Sequence, residues 1–260
     1  MAYERLRETD YNKVPWEFKV SDGFSGRFKG IYSFGYNPSV STTFEDIWRY
    51  GGDAVFLSSA ETITVVSDSV NDDGSPPGTG AQIIKLEGLD NNYNYIEEFV
   101  TMDGVTPVIT TKQFLRITKA FVTDVGTNGS NVGNITGIST ISLGGQFFFE
   151  AGVGQTLKAI NTIPAGFYGI ITRILGSANG LDSAIIDFQT REFGKSWRVR
   201  HRASIPTAVE FNVEFVPLGA PLILPPKSDI KMRAIKVGAG STIVGGSFSL
   251  YLIDEREVNT

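Results

Sequence analysis

The chain has 260 residues, enough for one large β-domain or two small ones, and 41% of them are apolar, a usual globular share. A net charge of −5 without a basic tail argues against a general nucleic-acid binder, and the absence of cysteine excludes disulfides, thiolate metal sites and cysteine nucleophiles. The charged first ten residues do not form a signal peptide, and no run reaches the roughly 18 apolar residues that span a bilayer. We therefore expect a soluble protein made in the cytosol.

Residues 1–50 are rich in aromatic side chains but lack a regular alternation of apolar and polar residues. We predict an extended N-terminal arm over 1–50, with one short strand around 30–36. Burying one large aromatic side chain contributes about 1.5–3 kcal/mol, so these residues require a partner surface. They either cover the chain's own core or dock on a neighbouring subunit, and the candidate interface residues are Trp16, Phe18, Phe24, Phe28, Tyr32, Phe34 and Tyr36.

Residues 61–125 show four apolar, β-branched segments separated by turn-forming sequences. The segments are 62–66, 81–86, 95–100 and 114–122, and the turns contain Asn-Asp-Asp-Gly, Asp-Asn-Asn and Asp-Gly. Strands joined by such turns, with no helical period between them, are typical of an antiparallel meander. We therefore predict that these four strands pair in sequence order.

Further strands follow at intervals of roughly ten to fifteen residues up to residue 253, and no long helix is predicted. About a dozen strands with glycine-rich and proline-rich turns indicate an all-β fold, an antiparallel β-sandwich of the jelly-roll type over residues 51–260. Two smaller sandwiches, divided near residue 150, are the alternative.

Several segments resemble one protein family. They are 65–72, 78–81, 87–94, 104–108, 114–117, 154–159, 163–166 and 224–230. In this order they resemble virion structural proteins of tailed bacteriophages, particularly phages of aquatic bacteria, over residues 53–253. The resemblance implies a particle component: a head decoration (cement) protein, a head fibre, or a tail or neck part. Residues 1–50 have no such counterpart.

Three arginines alternate along one predicted strand, which places Arg198, Arg200 and Arg202 on the same face. One interpretation is a solvated face whose arginines form ion pairs with Glu210 and Glu214 on the next strand. The other is a contact with an acidic patch of a neighbouring protein in the particle.

Few residues suggest catalysis or metal binding. Gly194-Lys195-Ser196 lacks the upstream glycine of a phosphate-binding loop. The single histidine, His201, could act in a serine catalytic triad, but the sequence contains no Gly-x-Ser-x-Gly nucleophile elbow. The acidic segments 71–73 and 90–92 offer oxygen ligands for Ca²⁺, but such segments are also ordinary turns. We predict no catalytic residue, no metal and no cofactor.

The sequence thus favours a non-enzymatic virion protein, a capsid decoration or cement protein that acts through inter-subunit contacts. The expected partners are further copies of the chain, in a homotrimer, and the major capsid protein or other virion proteins. The alternative is a receptor-binding or glycan-binding module of a tail or head fibre, with loops 71–80 and 127–137 as its rim. Aromatic side chains would support that alternative, and these two loops carry none.

Overall fold

The computed structural model describes residues 28–206, 211–215 and 222–258, and within them the fold is all-β and antiparallel, as predicted. Candidate residues Trp16, Phe18, Phe24 and Glu210 lie outside the described residues. One helical turn, α1, covers Glu255–Val258. The strands, in chain order, are β1 Phe28–Asn37, β2 Glu45–Asp46, β3 Ile63–Ser67, β4 Ala81–Leu89, β5 Tyr95–Thr101, β6 Val108–Ile109, β7 Arg116–Val125, β8 Ile135–Ser139, β9 Gly145–Phe149, β10 Ile160–Thr162, β11 Phe167–Gly180, β12 Ser183–Arg191, β13 Arg198–Ile205, β14 Phe211–Phe215, β15 Leu222–Leu224, β16 Asp229–Val237 and β17 Thr242–Asp254.

Strand β1 and the strands from β10 onward form a jelly roll. Its two sheets have the orders β1-β17-β11-β14 and β10-β16-β12-β13, with β15 added to β11 and β2 added to β16. If these eight main strands are numbered in chain order, the sheets read 1-8-3-6 and 2-7-4-5, which is the strand order of a jelly roll. Apolar residues from the inner faces of both sheets share one core, which includes Ile171, Phe248 and Leu250 opposite Phe188 and Met232.

Strands β3 to β9 form a second unit, which we call the inserted sandwich. Its sheets have the orders β6-β3-β8-β9 and β5-β4-β7, and they enclose a separate core that includes Ile63, Ile84, Phe114, Phe147 and Phe149. The four predicted strands are present, but the predicted meander is wrong. Strand β3 and strand β4 lie in different sheets of the sandwich. Strand β7 pairs with β4, whereas a meander would pair it with β5. Because β3 and β4 are joined by a long connection, the chain can cross between the sheets here.

The inserted sandwich is placed between the first and second strands of the jelly roll. The segment that leaves the jelly roll and the segment that returns to it run side by side. The Ala159 N–H donates to the Ile47 carbonyl at 3.0 Å, and the Arg49 N–H donates to the Leu157 carbonyl at 3.0 Å. Gly35 of β1 lies directly against them, and a Cβ there would be 2.1 Å from the Ile47 carbonyl oxygen and 2.4 Å from the Ala159 nitrogen. A side chain at position 35 would therefore separate β1 from the junction.

The described part of the predicted arm is an integral part of the jelly roll. Strand β1 pairs with β17 along its whole length, from Phe28 opposite Ile253 to Asn37 opposite Val244. Its odd-numbered residues face the core side, where Ser33 is buried, and its even-numbered residues face outward. Residues 29–37 thus follow a strand-like alternation that the many aromatic residues conceal in the sequence.

A buried carboxylate connects the two sandwiches. Asp229, at the start of β16, accepts hydrogen bonds from Arg116 of the inserted sandwich at 3.0 Å, from Arg191 at 2.5 Å and from the Thr162 hydroxyl at 2.7 Å. Arg116 also donates to the carbonyl oxygens of Leu57 and Leu115, at 2.7 and 2.8 Å. Its guanidinium therefore has both a counter-ion and neutral acceptors, which a buried charge requires.

A buried lysine lies beside this ion pair. Lys158 donates from Nζ to the carbonyl oxygens of Ile117 and Gln146, at 2.7 and 2.9 Å. Desolvation, reinforced by the positive charge of Arg116, lowers the pKa of Lys158 to about 7. A neutral amine has two N–H donors, so the two carbonyls satisfy it fully.

The first prediction concerns the Asp229 carboxylate. Asp229→Asn leaves the buried guanidinium of Arg116 without a counter-ion, so we expect the free energy of unfolding to fall by about 3–5 kcal/mol. Urea denaturation at pH 7 measures the change. Asp254→Asn is the control, because Asp254 pairs with the exposed Arg256, and it should behave as wild type. Equal stabilities of the two variants would contradict the prediction.

The second prediction follows from Lys158. Its pKa is about 7 in the folded chain and about 10.4 in an unfolded chain. Between these values the unfolded chain binds more protons, so the free energy of unfolding should rise with pH, by at most about 1.4 kcal/mol per pH unit.

Denaturation curves at several pH values between 7.5 and 9.5 test this expectation. Lys158→Met should remove the contribution of Lys158 to the slope. An identical pH dependence in wild type and variant would show that Lys158 is charged in the folded protein.

Candidate interaction surfaces

An aromatic row covers the outer face of β1. Tyr32, Phe34 and Tyr36 point to this face; the Tyr32 side chain is 60% exposed, and its ring stacks on Phe34 with centroids 5.5 Å apart and planes at 25°. Residues Ser247 and Gly245 of β17 lie opposite Phe34 and Tyr36 in the sheet. The small residues leave a shallow depression of about 200 Å³ beside the rings. The side chain of Phe28, at the start of the same strand, is outside the described part of the chain.

The predicted arginine stripe is divided by a β-bulge. Strand β13 pairs with β12, and the register shifts between Phe188 and Gln189. Arg202 donates to Asp187 at 2.6 and 2.9 Å, whereas Arg200 donates to the Thr190 hydroxyl at 2.8 Å. Asp187 and Thr190 are three residues apart on β12 and face opposite sides, so Arg200 and Arg202 do not share one face as predicted.

The expected ion-pair partners of the stripe are also different. Strand β14, which contains Glu214, pairs with β11 in the other sheet of the jelly roll. Arg202 instead pairs with Asp187, and Arg200 approaches Glu192 at 3.5 Å. Arg198 and the two other arginines remain exposed to solvent on this strand at the edge of its sheet.

Asp187 is shared by two arginines that enclose an aromatic ring. Arg233 donates to the same carboxylate at 3.1 Å, and the Phe44 ring lies 4.2 Å from the Arg233 guanidinium and 5.3 Å from that of Arg202. Burial disfavours the charged carboxylate, but the hydrogen bonds from Arg202 and Arg233 outweigh it and lower the pKa of Asp187. Part of the positive charge of the strand is thereby neutralised within the chain.

A cleft of about 250 Å³ separates the edge of β1 from the outer face of β4, β5 and β7. Tyr32 belongs to one wall and Tyr95 to the other, and Lys29 lies 4.6 Å from the Tyr95 ring centroid. On the far wall Lys85 bridges Glu87 and Glu97, at 3.0 and 2.7 Å. The sequence analysis did not select this cleft, because residues of its two walls are separated by more than fifty positions and only the insertion brings them together.

A rigid turn presents two aliphatic side chains to solvent. Ile141 and Leu143, between β8 and β9, are 79% and 75% exposed, and Leu143 has a φ of 53°. The buried carboxylate of Glu61 accepts hydrogen bonds from the backbone N–H groups of Ile141 and Ser142, at 2.8 and 2.9 Å, and from the Ser142 hydroxyl. Burial opposes ionisation, but these hydrogen bonds outweigh it and lower the pKa of Glu61.

The acidic segments form turns in the described structure. Asp72 is buried and accepts hydrogen bonds from the Ser67 hydroxyl and from the N–H groups of Ala81, Val132 and Gly133. Asp90 accepts from the N–H groups of Asn92 and Asn94. These carboxylates are surrounded by donors, which compete with a cation for the same oxygens. Among the described residues no group of three or more histidine or acidic side chains could hold a metal ion.

The described residues contain no helix long and apolar enough to cross a membrane.

The third prediction concerns the Glu61 turn. Hydrogen bonds to a charged group contribute about 1.5–3 kcal/mol each. In Glu61→Ala we therefore expect hydrogen exchange of the Ile141 and Ser142 amides to accelerate about 10-fold to 100-fold. Exchange is measured by NMR, and the Val65 amide in the core strand β3 serves as the internal control. Unchanged exchange at positions 141 and 142 would show that Glu61 does not hold the turn.

No family model and no curated protein matches this chain. Three solved structures of infectious bursal disease virus show a weak likeness. The Gt strain has 10% identity over 93% of this chain and 78% of that chain, with a TM-score of 0.23. The VP2 subviral particle has 9% identity over 93% and 78%, with a TM-score of 0.22, and the Gx strain has 9% over 87% and 76%, with a TM-score of 0.20. TM-scores this low carry no argument about fold or function.

Proposed function

We propose that this chain is a structural protein of a bacteriophage particle, a decoration or cement protein that stabilises the head through contacts between subunits. The observation that carries the proposal is the jelly-roll strand order of the sandwich formed by β1 and the strands from β10 onward. Jelly rolls recur in viral capsid proteins, although the fold alone does not determine function. The resemblance of residues 53–253 to virion structural proteins of tailed phages supports the same assignment.

Two exposed surfaces support a role in assembly. Aromatic and arginine side chains are enriched at protein–protein interfaces. The aromatic row lies on the sheet that contains β1, and the exposed arginines lie on β13, in the other sheet. Two different patches on one subunit favour head-to-tail contacts, which close into a ring when the rotation permits. We propose a homotrimer assembled through these patches, and a contact between residues 1–27 and the major capsid protein or a neighbouring subunit.

The fourth prediction tests the assembly. Sedimentation velocity of the purified protein should give a particle of three times the 28.3 kDa chain mass. The triple variant Tyr32→Ser/Phe34→Ser/Tyr36→Ser should sediment as a monomer, because it removes the aromatic contact. Phe99→Ser is the control, since Phe99 is 58% exposed and lies on the inserted sandwich. A monomeric wild-type protein, or a trimer that the triple variant retains, would contradict the aromatic interface.

The particle role requires a separate experiment. A chain lacking residues 2–27 keeps the complete strand β1, whereas a longer deletion would remove a strand of the jelly roll. We expect the truncated protein to bind less well to phage heads that lack it, measured by co-sedimentation with purified particles. Full-length chain that never associates with particles would refute the proposed function, and equal binding of the two chains would refute the role of residues 1–27.

A further inference from the structure

We propose that the cleft between the jelly roll and the inserted sandwich is a binding site for a short saccharide. The cleft shares Tyr32 and Phe34 with the aromatic row proposed for the contacts between subunits, but its other wall, which contains Tyr95, lies outside that row. It lies at the boundary between two structural units, a common location for small-ligand sites. Its two walls belong to different sandwiches, and the buried ion pairs of Asp229 fix their relative position.

The first observation is a pair of exposed tyrosines on opposite walls. Tyr32 of β1 is 60% exposed and Tyr95 of β5 is 44% exposed, and both line the cleft. A pyranose ring presents an apolar face of C–H groups that packs against an aromatic ring, and the tyrosine hydroxyl supplies a polar group beside it. Tyr95 is also held in place, since its hydroxyl forms a hydrogen bond with the Glu87 carboxylate.

The second observation is the density of neutral hydrogen-bonding groups. Between the aromatic walls the lining includes hydroxyl and amide side chains, namely Ser33, Thr118, Gln155, Thr156, Asn161 and Thr162, beside the apolar Ile31, Leu89, Pro164 and Leu252. The Asn161 amide donates to the Ser33 hydroxyl at 3.0 Å and its carbonyl oxygen accepts from the Thr162 N–H at 2.7 Å, so this end of the cleft is ordered before a ligand arrives. Hydroxyl and amide groups both donate and accept, as sugar hydroxyls require.

Charged residues at the cleft define which saccharides it can accept. Lys29 and Lys119 are exposed at the cleft, and the Glu87 carboxylate is already paired with Lys85. Their two ammonium groups, which also lie over the Tyr95 and Phe121 rings, can accommodate the carboxylate of a uronate as well as neutral hydroxyls. A polyanionic ligand is disfavoured, because Glu87 and the paired Glu97 lie on the same wall.

The dimensions favour a short ligand. The volume of about 250 Å³ lies just below the range of about 300–1,000 Å³ that is typical of small-ligand sites. The competing occupant is an extended peptide paired with the edge of β1. Such a peptide would use the whole strand, Phe28–Asn37, whereas the cleft is lined only by its first part, from Lys29 to Phe34.

The fifth prediction tests the site with three probes: maltotriose, chitotriose and trigalacturonate, which are neutral, N-acetylated and acidic. We expect at least one to bind the full-length protein in titration calorimetry and to show saturation transfer to its ring C–H protons by NMR. Tyr32→Ala and Tyr95→Ala should each weaken that binding at least 10-fold. Tyr50→Ala is the matched control, because Tyr50 is 45% exposed and lies away from the cleft, and it should bind as wild type.

The following outcomes would refute the proposed saccharide site. Binding of none of the three probes, or binding that survives both Tyr32→Ala and Tyr95→Ala, refutes it. Binding of a synthetic peptide with the sequence of residues 12–27, competed by none of the saccharides, identifies a peptide as the occupant. Thermal unfolding of every variant confirms that it is folded. Tyr95 lies outside the aromatic row, so sedimentation of Tyr95→Ala as wild type separates this result from the test of trimer assembly.

Discussion

The relative position of the two sandwiches depends on one buried carboxylate, Asp229. Its oxygens receive the guanidinium groups of Arg116 and Arg191, one from each sandwich. An ion pair removed from water is stable only when its geometry is good and its remaining hydrogen-bonding groups are satisfied. Here the carbonyls of Leu57 and Leu115 and the Thr162 hydroxyl meet that condition. Two apolar surfaces could slide against each other, whereas these directional bonds specify one arrangement.

Aromatic rings enclose the charges of this junction. The Phe56 ring centroid lies 5.0 Å from the Arg116 guanidinium and 5.1 Å from that of Arg191, and Trp197 lies 4.7 Å from Arg191. Lys231, which pairs with Asp46 at 2.7 Å, lies 4.9 Å from the Trp197 ring. A cation over an aromatic face is attracted by the ring quadrupole, and the attraction grows when water is excluded. The rings therefore shield the ion pairs and at the same time stabilise the cations.

The sequence predicts the strands better than their arrangement. Alternating segments such as 62–66 and 247–253 identify β3 and β17, because the side-chain period of a strand is a local property. Pairing depends on distant partners, so the sheet order could not be derived from neighbouring turns. The bulge in β13 is equally impossible to detect in the sequence, because Arg200 is an extra residue only with respect to its partner strand β12. Two sandwiches divided near residue 150 are one alternative in the sequence analysis. That the first of them is inserted into the other could not be derived, since Trp48 and Lys158 bridge two distant parts of the chain.

The adjacent exit and return of the chain make the inserted sandwich a replaceable module. The polypeptide leaves the jelly roll at Trp48 and returns at Lys158, and these two residues form a β-bridge. A few residues could therefore close the gap without stretching the host fold, since insertions are tolerated where two chain ends lie close together. Evolution can exchange, lengthen or lose such a unit while the eight-stranded host retains its own core. Related chains with this jelly roll would then differ most in the unit inserted between the positions of Trp48 and Lys158.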